Sequence, residues 1–516
     1  MKSKITTFVL TCTALAVTAY TAAAQSGSEK DLAYYVAHAP FKMTITEPHF
    51  GNRIVNIQDY GAIGDGQTLN TTAIEKAISA CNAGGGGVVR IPPGLWLTGP
   101  IELQSNVNLH ADRGALIIFT TDHSQYIVAN GKARLPLSGN NLHDVGITGD
   151  GVYDGGGDTW RPLKKSKAAP TLWEDLVKAG GTVSNDGSMY YPTTENTRPT
   201  MVSVQNSTNV LIDGPTFKNS PQFALNPRNC TDMIIRNVTI NNEYYAQNGD
   251  GIDLSSCKNA AVYHCTVNAG DDGICMKSSG NKGDSDPALK NIIIADCIVY
   301  HAHGGFVIGS NTDGGMQNVY VTNCDFVNTD VGIRIKSSRG RGGLVHDIFV
   351  DHIYMRDILN EAILFNTYYA EDGKDSTSGP VAVNSKTPRF QDFYISNIFC
   401  NNARAAIAIT GLPEMPANHI YMSDMVISAK TGFSAVDAED ISLKNVKLIS
   451  PASTLIGLNN ARNMTFSNIG FNGNTSTFIS ASGNTTGVKV TDTNLKGLAE
   501  PLKLDKPLDK STVTIQ

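Results

Sequence analysis

A chain of 516 residues, 41% hydrophobic and 17% charged, is long enough for several compact cores or one extended one. A formal net charge of -6 with no long basic run removes the electrostatic case for nucleic acid as a partner. Beyond the N-terminal region no stretch approaches the roughly 20 apolar residues that span a bilayer, so no membrane span is expected.

Residues 1–24 combine Lys2 and Lys4, an apolar run through Leu15 and Val17, and the small residues Ala22, Ala23 and Ala24, the three parts of a secretory signal. Cleavage near Ala24 and Gln25 is expected, leaving 25–516 as a single exported domain, periplasmic or secreted. Cys12 stands too early in the apolar run for a lipid anchor. Eight cysteines remain, an even number that permits disulfides.

The mature chain opens with Asp59, Tyr60 and Gly61, then Thr72 and Glu75 at capping-box spacing, which predicts a short N-terminal capping helix through about Cys81. Gly84 to Gly87 lack the Gly-Lys-Ser/Thr ending of a phosphate loop and precede a strand, so they read as a tight turn.

After Pro100 short apolar alternations recur between turn residues. One aligned position reads Val238, Cys265, Cys297, Cys324, Ile353, Ile398, Met425, Val446 and Ile469, at steps of 21 to 45 residues. Fixed strands with variable turns are the mark of a parallel β-helix, and helical 3.6-residue patterning is missing. The expected fold is all-β, a single-stranded right-handed parallel β-helix, with the three cysteines as buried thiols stacked along its core.

A second alignment gives the phase of another strand: Ile252/Leu254, Ile274/Met276, Phe306/Ile308, Ile333/Ile335 and Ile363/Phe365. Since side chains alternate across a strand, these point inward, and Asp253, Lys277, Arg334, Lys336 and Asn366 point out of the coil. The same phase puts Asp250 and Asp272 in one column, Asp271 one place earlier, and His303 on the next coil. Parallel strands stack about 4.8 Å apart, so these groups converge although they are far apart in sequence.

The stretch 155–199, with Trp160, Trp173 and Tyr190, is too long for an idle turn and is expected to wall or cover the cleft. Glu371 to Pro388, polar and rich in Gly and Ser, is expected to be a loop. Leu498 to Gln516 is expected as a tail over the last coil or a frayed end.

Carboxylates on adjacent coils repel, so at least one should keep a proton near neutral pH, as acid-assisted cleavage of a glycosidic bond requires. Arg334 and Lys336 beside them suit an anionic group, hence an acidic sugar. Asp before Gly is also ordinary turn chemistry, but a turn needs neither Asp271 nor a basic pair two coils away. A calcium site built from the same carboxylates is the main physical competitor.

Asn248-Gly249-Asp250, Gly270-Asp271-Asp272, His303-Gly304 and Arg334-Ile335-Lys336, in this order on successive coils, resemble the motifs of the polygalacturonase family of glycoside hydrolases. The resemblance runs from about Val55 to Ile449. It implies α-1,4-galacturonosyl hydrolysis with inversion, Asp271 as general acid, Asp250 and Asp272 activating water, and His303 tuning the acid. Arg334 and Lys336 would bind the substrate carboxylate, with Asn248, Lys277 and Asn366 as further substrate contacts. No cofactor or metal is implied, and the partner is an acidic polysaccharide acted on by a monomer.

Gly249 and Gly270 depart from the family's Thr and Gln, and the segments after His303 and Lys336 look more like exo-acting bacterial members. Alternatives are a rhamnogalacturonan or xylogalacturonan hydrolase, a calcium-dependent pectate lyase, and a non-catalytic polysaccharide-binding β-helix.

Overall fold

A computed structural model describes residues 30–127, 133–193, 198–280, 282–369 and 379–516. The expected signal over 1–24 and residues 371–378 of the 371–388 loop lie outside these residues. From Ile54 onward the chain winds as a right-handed parallel β-helix whose strands pair almost wholly with the coil before and the coil after. Thr239, Thr266, Ile298 and Asp325 stand in register, which aligns the preceding Val238, Cys265, Cys297 and Cys324. The column continues Cys324, Ile353, Ile398 and Met425, and Val446 pairs with Ile469.

The second column is equally regular: Ile252, Ile274, Phe306, Ile333 and Ile363 are successive partners, and all are buried. Each such side chain contributes about 1.5–3 kcal/mol by leaving water, which fixes the strand phase coil by coil. All eight cysteines from Cys81 to Cys400 are buried free thiols. Cys265, Cys297 and Cys324 each donate to the carbonyl two residues back, at 3.2–3.3 Å, so the thiols are satisfied locally.

The turns are held by something the apolar pattern did not reveal. Asn259, Asn291 and Asn318 occupy the left-handed region, with φ of 52°, 58° and 59°. Asn291 donates its amide to Asn259 and accepts from Asn318, both at 2.9 Å. Asn tolerates this backbone better than most residues, and the ladder of amides joins coil to coil.

Helix α1 (Leu32–His38) and the extended segment to Phe50 were not anticipated. Leu32, Val36, Phe41, Met43 and Ile45 cover an outer patch made by Leu211, Ile234, Ala261 and Ile293. Helix α2 (Thr71–Ala83) packs Ile74, Ala77, Ile78 and Cys81 into the first coils, the expected cap. The capping box does not form. Asn70 is the N-cap, with its side chain bonded to Ile63 and Thr68, and Thr71 Oγ1 accepts from Gly99 N–H. Gly86 sits at φ 93°, where a Cβ would lie 2.4 Å from the Asn106 carbonyl, as a tight turn requires.

The long departure holds helix α3 (Pro170–Ala179) and a small antiparallel sheet in which Met189–Tyr191 is flanked by Leu163–Lys164 and Thr182–Val183. At the far end Leu502–Leu504 and Val513–Ile515 pair with the preceding coil, so the tail covers the last coil and does not fray.

Candidate active site

The strands Ile252–Ser255, Asp272–Lys277, Gly304–Ile308 and Ile333–Lys336 lie side by side. Their register gives Asp250 and Asp272 one column, with Gly304 next in line. His303 N–H donates to the Asp271 carbonyl at 2.7 Å, one place earlier. One carboxylate oxygen from each of Asp250, Asp271 and Asp272 lies within 4.8 Å of the others. Gly304 and Gly309 put no side chain between this triad and the Arg334–Lys336 coil, which lets those cations reach back.

They do reach back. Lys336 Nζ is 2.8 Å from one oxygen of Asp272 and Arg334 is 3.3 Å from the other. Lys277 stands between Asp250, at 2.9 Å, and Asp253. Asp253 is fully buried and Lys336 is 4% exposed, although both point out of the coil. Neighbouring layers cover them: the Phe223 ring lies 4.4 Å from Lys277 Nζ, and the Tyr369 ring 4.8 Å from Lys336 Nζ. Arg334 packs behind this layer with its Nε buried and unpartnered. Lys336 and Arg334 thus take up both oxygens of Asp272 and Lys277 one oxygen of Asp250, while Asp250 Oδ1 and the Asp271 carboxylate are not bound by these cations.

The carboxyls differ in electrostatics. Burial pushes Asp250 well above the usual carboxylate range although Lys277 opposes it, and its Oδ1 is buried without a partner. Burial also raises Asp253. Asp272 feels the same burial, but Lys336 and Arg334 outweigh it and hold the group ionised. For Asp271 burial is outweighed by the His303 hydrogen bond, 3.0 Å from Nδ1, with Lys336 adding to the downward shift.

The sequence reading missed what the 155–199 stretch contributes. Lys167 Nζ lies 3.1 Å from His303 Nε2, so that nitrogen accepts and Nδ1–H faces Asp271. Burial lowers Lys167 despite the opposing charges of Asp271 and Asp330. Arg198 donates to the Asn248 Oδ1 at 2.8 Å and to the Gln247 carbonyl at 2.6 Å. No periodicity marks these residues, because contacts from an insertion follow no coil register.

A cavity of about 620 Å³ opens over the triad, and its walls include Asn248, Asp250, Asp271, Asp272, Lys277 and Lys336. Asn366 lies on the neighbouring coil, outside the residues that line this cavity. It pairs with Lys336 in register, but its Oδ1 accepts from Tyr368 N–H at 2.8 Å, and it shapes the turn bearing Tyr369 without lining the cavity.

The profile described as glycosyl hydrolases family 28 matches residues 81–435, more than two thirds of the chain. A probable polygalacturonase of Vitis vinifera is 28% identical over 414 residues, covering 75% of this chain and 78% of the relative. An exo-poly-alpha-D-galacturonosidase of Dickeya chrysanthemi is 27% identical over 430 residues, covering 76% and 70%. Among solved structures, a hyperthermoactive exopolygalacturonase from Thermotoga maritima is 29% identical with a TM-score of 0.63, covering 75% of this chain and 89% of that one.

Proposed function

Because this chain belongs to glycosyl hydrolases family 28, and is therefore a glycoside hydrolase, we propose that it cleaves α-1,4-galacturonosyl linkages of pectic polygalacturonate from a chain end. The observation that carries the reading is the stack of Asp250, Asp271 and Asp272 on adjacent coils, with Lys336 and Arg334 beside it. Asp271 protonates the leaving oxygen. Asp272, kept ionised, takes a proton from water that Asp250 helps to hold, and His303 orients the acid through Nδ1.

The acid must carry a proton, whereas Asp271 is held low in the unliganded protein. His303 is the main group that depresses Asp271, and Lys336 adds to it. A galacturonate carboxylate arriving beside Lys336 offsets that addition and brings negative charge near Asp271, which raises it toward its working form. Asn248 orients a sugar from the wall that Arg198 braces. Exo action is favoured by the 155–199 insertion, whose Lys167 reaches the His303 side of the cleft, and by the exo-acting relatives. Among the described residues no helix is long and apolar enough to cross a membrane. Export after cleavage near Ala24 gives a single catalytic domain over 25–516 working as a monomer on an extracellular polysaccharide.

Product analysis on unsubstituted polygalacturonate, with and without a chelator, tests the reading. Saturated galacturonate from the chain end, unaffected by chelation, is expected. Unsaturated products absorbing in the ultraviolet would make the protein a lyase, and an early fall in viscosity would make it endo-acting. The oxygens of the triad are closer than the roughly 6.5–9.5 Å separation of inverting pairs. Proton NMR of the first product is therefore decisive for stereochemistry: the β-anomer supports inversion, and the α-anomer overturns it.

A further inference from the structure

We infer that Arg228 is a specificity-determining residue that binds the carboxylate of the sugar on the opposite side of the scissile bond from Lys336, an inference that rests on the polygalacturonate reading above. Arg228 pairs in register with Ser255, and Ser255 with Lys277. Two coils further on, the same column reaches Lys336, since Ile308 and Ile335 are partners one place earlier. Basic side chains thus recur along one line of the cavity, with the carboxylate triad between Arg228 and Lys336. At about 4.8 Å per coil, Arg228 stands roughly 10 Å from the strand of Asp272 and Lys277, and Lys336 about as far on the other side.

What separates Arg228 from the other cations is its partner. Lys277 and Lys336 are each bound to carboxylates of the chain. Arg228 has no ion pair among the described residues. Its Nε donates at 2.6 Å to Asn226 Oδ1. Asn226 is 1% exposed and is itself fixed through its amide to the Asp253 carbonyl at 3.1 Å and to Ser255 Oγ at 2.9 Å. The root of the guanidinium is therefore anchored to a buried amide, while its two terminal nitrogens make no hydrogen bond among the described residues, and Arg228, exposed, lines the cavity.

A planar fork held in place beside a cleft, with no acid of its own, matches a carboxylate and loses its counterpart when that carboxylate is esterified. Lys336 would then read the acid group on one sugar, and Arg228 the acid group across the bond. Discrimination against a methyl ester at that position follows from Arg228, since the ester offers neither charge nor a bidentate acceptor.

Calorimetric titration of trigalacturonate and of its methyl ester into the Asp271→Asn protein, with and without Arg228→Gln, reads binding independently of turnover. Arg228→Gln is expected to weaken the acid about tenfold and the ester about twofold or less, and Arg228→Lys to recover part of the preference. The affinity for trigalacturonate should also become less sensitive to added salt in Arg228→Gln. Equal weakening of acid and ester, no weakening of either, or an unchanged salt response overturns the assignment. Failure of the wild-type protein to hydrolyse polygalacturonate would strike the hydrolase reading instead, and the titration would still show whether Arg228 meets a carboxylate.

Discussion

Burial drives Asp250 toward its neutral form, whereas Lys336 and Arg334 outweigh the same burial and hold Asp272, in the same column one coil on, ionised. The two shifts act oppositely on stability. A depressed carboxyl stabilises the fold above the ordinary carboxylate range and ceases to do so only in stronger acid. A raised one does the reverse: the folded chain keeps a proton that the unfolded chain has lost, so stability falls as pH climbs from the ordinary carboxylate pKa to the raised one. Asp250→Asn removes that proton uptake. In denaturant titrations the wild type should lose stability relative to Asp250→Asn by up to about 1.4 kcal/mol per pH unit over this window. Parallel pH curves would contradict the protonation of Asp250. A second consequence concerns the acid. If substrate raises Asp271, the alkaline limb of kcat, which reports the complex, lies at higher pH than that of kcat/KM, which reports the free enzyme. Coincident limbs would mean that the substrate carboxylate does not retune Asp271. The convergence of these residues was legible because the strand period of 2 places Asp250 and Asp272 without any knowledge of the turns. Their unequal charge states were not, since they depend on how far Lys277 and Lys336 reach across neighbouring coils.

The insertion between the coils is the element that distinguishes this cleft. Its ends meet where Leu163 pairs with Tyr190, so the stretch between them forms a closed unit standing on the β-helix. From it Lys167 reaches His303, and Tyr244 answers by donating to the Lys167 carbonyl at 2.8 Å. Replacing residues 164–189 by a short Gly/Ser turn should leave the coils folded and open the cleft. Viscosity of polygalacturonate should then fall earlier per reducing end released than with the intact protein. The same viscosity course in both would show that the insertion does not set the mode of attack. Length marked this stretch as too long for an idle turn, expected to wall or cover the cleft, and Lys167 brings it to His303. Its helix, its small sheet and the role of Lys167 were not legible, because an insertion answers to its own packing and carries no repeat to align. Helix α1 escaped notice for a related reason: the apolar surface it covers, at Ile234, Ala261 and Ile293, lies on outward strand positions that a core-directed reading passes over.

On the scale of the whole molecule, two column types hold the coil together, and they differ in how visible they are. Apolar columns are explicit in sequence, since Ile252, Ile274, Phe306, Ile333 and Ile363 align without gaps. The amide ladder through Asn259, Asn291 and Asn318 hides in turns of unequal length and shows itself only as left-handed backbone. Asn291→Ala removes a bond in each direction along the ladder and puts a Cβ-bearing residue without a local amide at φ 58°, so a loss of about 1–3 kcal/mol is expected in reversible unfolding. Asn291→Gly should cost less, as glycine accepts the backbone. Equal costs would assign the whole effect to the lost bonds. The coil also makes the division of labour possible: Asp250 on one turn of the chain meets Asp271 and Asp272 on the next, and the three separate acid from base on one face. The most direct test of that division is turnover by Asp271→Asn of two substrates, polygalacturonate and α-galacturonosyl fluoride, whose fluoride leaves without protonation. A loss of about 10²–10⁴-fold on the polymer is expected, with most activity kept on the fluoride. Equal loss on both, or the fluoride-sparing pattern in Asp250→Asn and not in Asp271→Asn, would contradict it.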